Sequence, residues 1–286
     1  MIVLTGATGQ LGHLVIEALI QEIPSSQIIA AVRNPGKAKD LEAKGIEVRR
    51  ADYNEPETLL PAFKDADKLL LISSSEVGQR VRQHGAVIEA AKNAGIKLLA
   101  YTSVLHADST PLSMLNEHQE TEKILQSSGI PFVSLRNGWY NENYTSKIPV
   151  ILEQGVILGS VGPGRIASAE RADYAAAAAA VLIGDGHTGR IYELAGDKAF
   201  TMAELAAEIT RQSGKTIEYK DMPVEDYKAA LVSTGTPEDI APMVANMDVG
   251  ISKGALFDDS HQLSQLIGRP TTPIEKTIEK AMKGLN

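Results

Sequence analysis

Three glycines near the amino terminus restrict the fold of this chain more than any other feature. Gly6, Gly9 and Gly12 stand in G-x-x-G-x-x-G spacing between a predicted strand, Ile2–Thr5, and an amphipathic helical pattern over Leu11–Leu19. Glycine lets the backbone turn tightly out of the strand and approach a pyrophosphate, and the N–H groups that begin the helix attract the anion. The pattern predicts a dinucleotide-binding βαβ unit; a turn with only a structural role is the alternative. The residues expected to bind the dinucleotide here are Gly6, Ala7, Thr8, Gly9, Gln10 and Leu11.

Short aliphatic runs alternate with helical patterns through the first half of the chain. The predicted strands are Ile2–Thr5, Gln27–Arg33, Ile46–Arg50, Lys68–Ser73, Lys97–Thr102 and Phe132–Arg136. Most of them are apolar throughout, which is typical of parallel strands covered by helices on both faces. The sequence therefore predicts an α/β fold of the Rossmann type, a doubly wound parallel sheet.

The pattern changes after about Gly138, where the strands become shorter and more widely spaced. The predicted elements of this part include the strands Val156–Leu158, Ile191–Leu194 and Lys215–Lys220, and a helix that Thr201 and Glu204 begin with a capping box. We expect residues 1–145 to form an NADP-binding domain, with strand 191–194 returning to its sheet. Residues 146–286 are expected to form a smaller α/β lobe on the substrate side.

Composition excludes several classes of function. Lys and Arg number 28 and Asp and Glu number 36, the net charge is −8, and cysteine is absent. An acidic surface repels phosphate backbones, and without cysteine there are no disulfides, thiol nucleophiles or cysteine-ligated metals. The histidines match no zinc motif, and no apolar run is long enough to cross a membrane. We expect a cytoplasmic protein with no metal, no nucleic-acid partner and no membrane, and a monomer and a homodimer both stay open.

The end of the second predicted strand bears on which dinucleotide is bound. NAD-specific sites place a carboxylate about 20 residues after the glycines, whereas Arg33 stands here. A guanidinium suits the 2′-phosphate of NADP, and a solvated arginine is the alternative. We expect NADP(H), with use of NAD(H) left open. The small hydroxyl residues that end the fourth predicted strand are expected to approach the same cofactor, and they are Ser73, Ser74 and Ser75.

Several segments of the sequence together carry a family resemblance. They are Thr5–Gly12, Val32–Pro35, Leu71–Ser75, Tyr101–Ser103, Leu135–Tyr140 and Gly254–Asp258. With them the chain resembles the NmrA-like branch of the atypical short-chain dehydrogenases/reductases, and within it the bacterial type 2 NAD(P)H:quinone oxidoreductases and the triphenylmethane reductases. The resemblance implies hydride transfer from NADPH to a quinone or similar small electrophile, giving a hydroquinone, without flavin or metal. The alternative is a regulatory protein that binds NADP without turnover, as some members of the family do.

The resemblance also indicates how this chain departs from the ordinary dehydrogenases. Those enzymes use a serine, a tyrosine and a lysine, and Ser103 and Lys123 match the serine and the lysine. Gln119 stands where the tyrosine is expected, and an amide cannot donate a proton as a phenol can. Gln119 and Lys123 are the candidates for catalysis, and a solvent-facing role for Lys123 is the alternative. A quinone suits such a site, because its reduction needs mainly proximity to the hydride donor.

The loop after the sixth predicted strand is rich in aromatic and amide side chains. By resemblance, it flanks the nicotinamide with Asn137, Gly138, Trp139, Tyr140, Asn141 and Glu142. Trp139, Tyr140 and Tyr144 offer flat walls for a quinone, with a packed aromatic loop as the alternative. Arg171 resembles a family position that lines the site, and a surface ion pair is its alternative.

Overall fold

The computed structural model describes residues 1–110, 112 and 115–284. The chain divides into two compact units. Unit 1 comprises Met1–Asp108, Leu115–Asn137 and Arg171–Glu193; unit 2 comprises Ser109–Met114, Gly138–Glu170 and Leu194–Asn286. The cofactor role of residues 1–145 and the substrate role of residues 146–286 stay predictions.

The elements follow the predicted alternation closely. The strands are β1 (Ile2–Thr5), β2 (Ile28–Val32), β3 (Glu47–Arg50), β4 (Lys68–Leu71), β5 (Leu98–Val104), β6 (Phe132–Asn137), β7 (Val156–Gly159), β8 (Ile191–Leu194) and β9 (Glu218–Asp221). The helices are α1 (Gln10–Leu19), α2 (Lys39–Ala43), α3 (Leu59–Ala62), α4 (Arg80–Asn93), α5 (Asn116–Ser128), α6 (Glu142–Thr145), α7 (Ile148–Gln154), α8 (Arg171–Ile183), α9 (Met202–Ser213), α10 (Val224–Ser233), α11 (Ala241–Ser252), α12 (Gln262–Ile267) and α13 (Ile274–Lys283).

The main sheet has seven strands in the order β3-β2-β1-β4-β5-β6-β8. Its strands β1 to β6 pair in parallel, and Ile2 at the start of β1 is opposite Ile28 of β2 and Lys68 of β4. Successive residues such as Val3 and Leu4 point to opposite faces, and both are fully buried. Helices α1 and α8 pack on each other, and α4 packs on both α3 and α5. The predicted Rossmann-type sheet, covered on both faces, is confirmed.

Four strands of the main sheet end one or two residues from their predicted ends. The shift is one residue in β2, which ends at Val32 rather than Arg33, and in β6, which ends at Asn137 rather than Arg136. β4 ends at Leu71 instead of Ser73, because the next amides bond to side chains: Ile72 N to Thr5 Oγ1 at 3.2 Å and Ser73 N to Thr102 Oγ1 at 2.9 Å. β5 continues to Val104, so Ser103 lies within the strand.

Unit 2 is built around a small parallel pair, β7 and β9. β9 begins at Glu218 rather than Lys215, because Ile217 bonds back to α9 through both its amide and its carbonyl, which contact Thr210 Oγ1 at 2.9 and 3.2 Å. The predicted capping box of α9 is present: Thr201 Oγ1 accepts from Glu204 N at 3.2 Å, and Glu204 Oε2 accepts from Thr201 N at 2.7 Å. The core of this unit is mostly aliphatic, with Phe200 also buried in it and Trp139 and Tyr144 packed against it.

The described ranges contain neither a membrane-spanning helix nor a cluster of side chains suited to a metal ion. None of their helices is long and apolar enough to cross a membrane. Nor do they bring three His, Asp or Glu side chains into an arrangement that could hold a metal ion.

Candidate functional site

The strand order of unit 1 has its topological switch point between β1 and β4. From β1 the sheet continues to β2 on one side and to β4 on the other, and ligands of open α/β sheets bind at such a reversal. Thr5, the last residue of β1, joins the two strands here. Its hydroxyl donates to Leu70 O at 3.1 Å and accepts from Ile72 N at 3.2 Å. The glycine turn after β1 and the segment after β4 are therefore fixed next to each other.

The glycine turn is shaped by close backbone approach. Gly6 has φ +62°, and its carbonyl accepts from Gly9 N at 2.9 Å. A Cβ on Gly12 would lie 2.3 Å from Gly6 O and 2.7 Å from Ala7 Cα, so only glycine fits where α1 crosses the turn. Gly9 caps α1 without a side chain, and the first N–H groups of a helix have no intrahelical partner. This backbone can bind an anion such as a pyrophosphate.

The other residues of the glycine turn differ in how far their side chains are exposed. Ala7 and Leu11 are buried, so only their backbone is open to a ligand, whereas Thr8 and Gln10 are exposed. All of the predicted turn residues lie together at the amino end of α1.

The serine segment, residues 73–75, is held by α4. Ser74 N donates to His84 Nε2 at 3.0 Å, and Arg80 Nε donates to Ser74 O at 2.7 Å. Because Nε2 accepts, the proton of His84 is on Nδ1, which lies 3.0 Å from Thr121 Oγ1. Burial, and then the nearby His118 and Arg80, lower the pKa of His84 to about 3. The imidazole is thus neutral and fixes the segment that follows β4.

Arg33 lies just after β2, with 70% of its side chain exposed. Its Nη1 is 3.1 Å from Glu76 Oε1. Hydrogen bonds from Asn54 and Gln83, together with Arg33, keep the pKa of Glu76 below its usual value. The guanidinium of Arg33 is thus exposed but paired with Glu76, and its contact with a 2′-phosphate stays a prediction.

Two buried polar atoms near the carboxyl ends of β5 and β6 have no hydrogen-bond partner among the described residues. They are Ser103 Oγ and Asn137 Oδ1, in side chains that are 3% and 6% exposed. Buried polar groups are nearly always bonded, so such atoms indicate a ligand or water in the functional state. A carboxamide or ribose of a dinucleotide offers suitable donors and acceptors. The turn, the serine segment and these atoms together fit a bound dinucleotide.

The two catalytic candidates, Gln119 and Lys123, lie on α5. Gln119 Nε2 donates to Asp108 O at 3.4 Å. Lys123 is 57% exposed and pairs with Glu120 at 2.7 Å. The buried side of the helix carries His118 and Glu122 instead. The structure therefore supplies no support for catalysis by Lys123, and the roles of both residues stay predictions.

Of the residues predicted to flank the nicotinamide after β6, Asn141 makes side-chain hydrogen bonds, whereas Gly138 and Tyr140 make backbone contacts. Asn141 is fully buried, its Oδ1 accepts from Ser168 Oγ at 2.6 Å and its Nδ2 donates to Thr277 Oγ1 at 2.9 Å. These bonds favour a structural role for that side chain, while its predicted contact with the cofactor is not tested. Gly138 N donates to Leu194 O at 2.7 Å, and Tyr140 forms a β-bridge with Ala169.

The remaining predicted residues are partly buried. Glu142 is the first residue of α6, and Arg171 is the first residue of α8. Their contacts with a cofactor are likewise predictions.

Unit 2 contains a pocket of about 550 Å³. Its walls come from α7, β7, α10 and α11, and most of them are apolar. Of the three predicted aromatic residues, Trp139 and Tyr144 line this pocket. Sequence reasoning missed Asp248, whose carboxyl also lines it. The sequence could have indicated it, because Asp248 is an acid on a helical pattern of α11 that is otherwise apolar at Met243, Val244, Met247 and Ile251.

The whole chain is similar to known proteins in sequence and in fold. The NmrA-like family matches residues 1–285. The sequence is 58% identical to Quinone oxidoreductase 2 of Escherichia coli (strain K12) over 278 residues, which cover 97% of each protein. The fold is similar to the E. coli NADPH-dependent quinone oxidoreductase QOR2 complexed with NADPH, with a TM-score of 0.95, 57% identity and 100% of both chains covered. The Citrobacter sp. triphenylmethane reductase complexed with NADP(H) gives a TM-score of 0.93 at 38% identity, covering 98% of this chain and 100% of its own. The chain therefore belongs to the NmrA-like family, as its sequence motifs predicted.

Proposed function

We propose that this protein is an NADPH-dependent quinone reductase, which converts a quinone to the hydroquinone by two-electron hydride transfer. The observation that most supports this function is the glycine turn of unit 1, where the backbone at Gly12 leaves no room for a side chain. The E. coli relative that matches almost all of the chain is a quinone oxidoreductase, and its structure holds NADPH.

The residues of unit 1 would hold the cofactor in three places. The glycine turn binds the pyrophosphate through backbone N–H groups, since Gly9 and Gln10 are exposed at the start of α1. The serine segment, fixed by His84, follows β4, the strand on the other side of the same switch point. Ser103 and Asn137 offer buried polar atoms to the nicotinamide end. When bound, NADPH supplies the hydride.

Arg33 would set the preference for NADPH over NADH. To bind the 2′-phosphate, the guanidinium would first leave Glu76. Breaking this ion pair costs little, because exposed ion pairs contribute about 0–1 kcal/mol. A charge-assisted bond to phosphate is worth about 1.5–3 kcal/mol, so the exchange favours NADPH.

Unit 2 would bind the substrate. Trp139 and Tyr144 supply flat apolar surface in its pocket. Trp139 is separated only by Gly138 from Asn137, the last residue of β6. Gln119 stands where the ordinary dehydrogenases have their tyrosine acid, and a quinone tolerates this because the hydroquinone oxygens can take protons from water.

The test is NADPH oxidation, followed at 340 nm, with 1,4-benzoquinone and menadione. Repeated turnover with hydroquinone as product is expected. NADPH binding without turnover for any quinone would instead support a regulatory protein of the NmrA type, which the glutamine at position 119 also permits. Failure to bind either NADPH or NADH would reject both.

A further inference from the structure

The pocket of unit 2 is larger than a bare quinone ring needs. Its volume of about 550 Å³ lies in the range of sites for drug-sized ligands, roughly 300–1,000 Å³. Three methionines, Met202, Met243 and Met247, line it. Methionine side chains are flexible and polarizable, so they adapt to apolar groups of different shape. The lining therefore suits a ring that carries an apolar substituent.

One carboxyl interrupts this apolar lining. Asp248 lies on α11 directly after Met247, and its Oδ2 accepts a hydrogen bond from Ser160 N at 2.8 Å. The residue is partly buried and lines the pocket. A carboxyl in such a place can donate a hydrogen bond to a ligand oxygen only when it is protonated.

We propose that the pocket of unit 2 binds quinones with an apolar substituent, and that Asp248 donates a hydrogen bond from its protonated carboxyl to a quinone oxygen. The substituent packs against the methionines of α11 and α9. The proposal rests on the proposed function for its substrate class, but it concerns binding and does not require turnover.

The surroundings of Asp248 make protonation accessible near neutral pH. Burial raises the pKa of Asp248 to about 6; the bond from Ser160 N and the charge of Lys147 oppose this, and Asp221 adds to it. Tyrosine hydroxyls also face it, from α6 (Tyr144), β9 (Tyr219) and α10 (Tyr227). Burial raises the pKa of all three, that of Tyr227 to about 12, so they stay protonated.

The sign of the pH effect follows from these values. Below pH 6 the carboxyl is mostly protonated and quinone binding is strongest. Above pH 6 the carboxyl of Asp248 must take up a proton before it can donate to the quinone. The dissociation constant of the quinone therefore rises by up to tenfold for each pH unit.

Trp139 makes this measurable without turnover, because it is the only tryptophan and it lines the pocket. Its fluorescence is titrated between pH 5 and pH 8 with 1,4-benzoquinone and with 2-butyl-1,4-benzoquinone, on the full-length protein with and without NADP⁺. Free N-acetyltryptophanamide corrects for absorption by the quinones. The butyl compound should bind at least tenfold more tightly, since each buried methylene contributes about fourfold.

Two pairs of variants separate the carboxyl from the apolar lining. Asp248→Asn keeps an acceptor for Ser160 N and a donor for the ligand, so the quinone affinity of this variant should not depend on pH. Its control is Glu153→Gln, which removes an exposed carboxylate and should behave as the wild type. Ala230→Phe fills the pocket and should remove the preference for the butyl compound. Ala229→Phe, on the exposed neighbour, should keep it.

The outcomes distinguish this proposal from the proposed function. Equal affinity for the two quinones, or the same pH dependence in Asp248→Asn as in the wild type, would overturn the proposal even if NADPH oxidation is rapid. Substituent- and pH-dependent quenching in a protein that does not oxidise NADPH would support the pocket and reject the reductase.

Discussion

Gly12→Ala tests the backbone approach on which the cofactor site depends. The new Cβ would lie 2.3 Å from Gly6 O and within 2.9 Å of Ala7 C, both backbone atoms, so α1 must move away from the turn by about 1 Å to restore normal contact. Overpacking of this kind costs about 1–3 kcal/mol of stability. The displaced N–H groups would also lose a bond to phosphate, worth about 1.5–3 kcal/mol, so the dissociation constant of NADPH should rise roughly tenfold to hundredfold.

Calorimetric titration with NADPH and thermal unfolding measure the two effects. Gly85→Ala is the matched control, because Gly85 is within α4 and its Cβ would only touch Ile124 Cδ1 at 4.0 Å. That control should bind NADPH normally and gain about 0.5–1 kcal/mol of stability. If Gly12→Ala binds NADPH within twofold of the wild type and unfolds at the same temperature, the turn does not hold the pyrophosphate as described.

Three further substitutions test separate parts of the account. Arg33→Ala should weaken NADPH roughly tenfold to hundredfold in a binding titration and leave NADH nearly unchanged; equal losses would reject the 2′-phosphate assignment. Gln119→Ala should change kcat by less than about fivefold, whereas loss of a proton donor costs about 10²–10⁴-fold, so a hundredfold fall would place the chemistry at α5. Arg136→Met should lower the free energy of unfolding by about 3–5 kcal/mol, because Glu122 and Glu193, each 2.7 Å from the buried guanidinium, would lose their partner. Unchanged urea denaturation would show that the ion pairs do not stabilise unit 1.

The sheet could be predicted because its signals are local. Continuous aliphatic runs mark strands buried on both faces, and the glycine spacing marks the first βαβ unit. Side-chain bonds decided two of the element ends that differ. Thr5 and Thr102 bond the amides after β4 from 67 and 29 residues away, which no local pattern reveals. Thr210 holds Ile217 away from β9 from only seven residues away, but hydrophobic periodicity does not predict a side-chain bond of this kind.

The site could be predicted only where one segment forms it. The glycine turn is such a segment. His84 and Glu76 act through contacts with the segments after β4 and β2, which periodicity does not reveal. Asp248 was missed because α7, β7, α10 and α11 assemble its pocket from distant parts of the chain.

Lys123 shows the limit of helix-face reasoning. The i, i+4 spacing puts Gln119 and Lys123 on one side of α5, but the buried side carries His118 and Glu122, and Glu122 pairs there with Arg136.

The central claim is two-electron reduction of a quinone by NADPH without another cofactor. The direct measurement is anaerobic: purified protein, excess NADPH and limiting menadione, with absorbance at 340 nm and electron paramagnetic resonance recorded together. We expect one NADPH oxidised per menadione, many turnovers per protein molecule and no quinone radical. A radical signal, a different stoichiometry, or NADPH that binds and is never oxidised would contradict it.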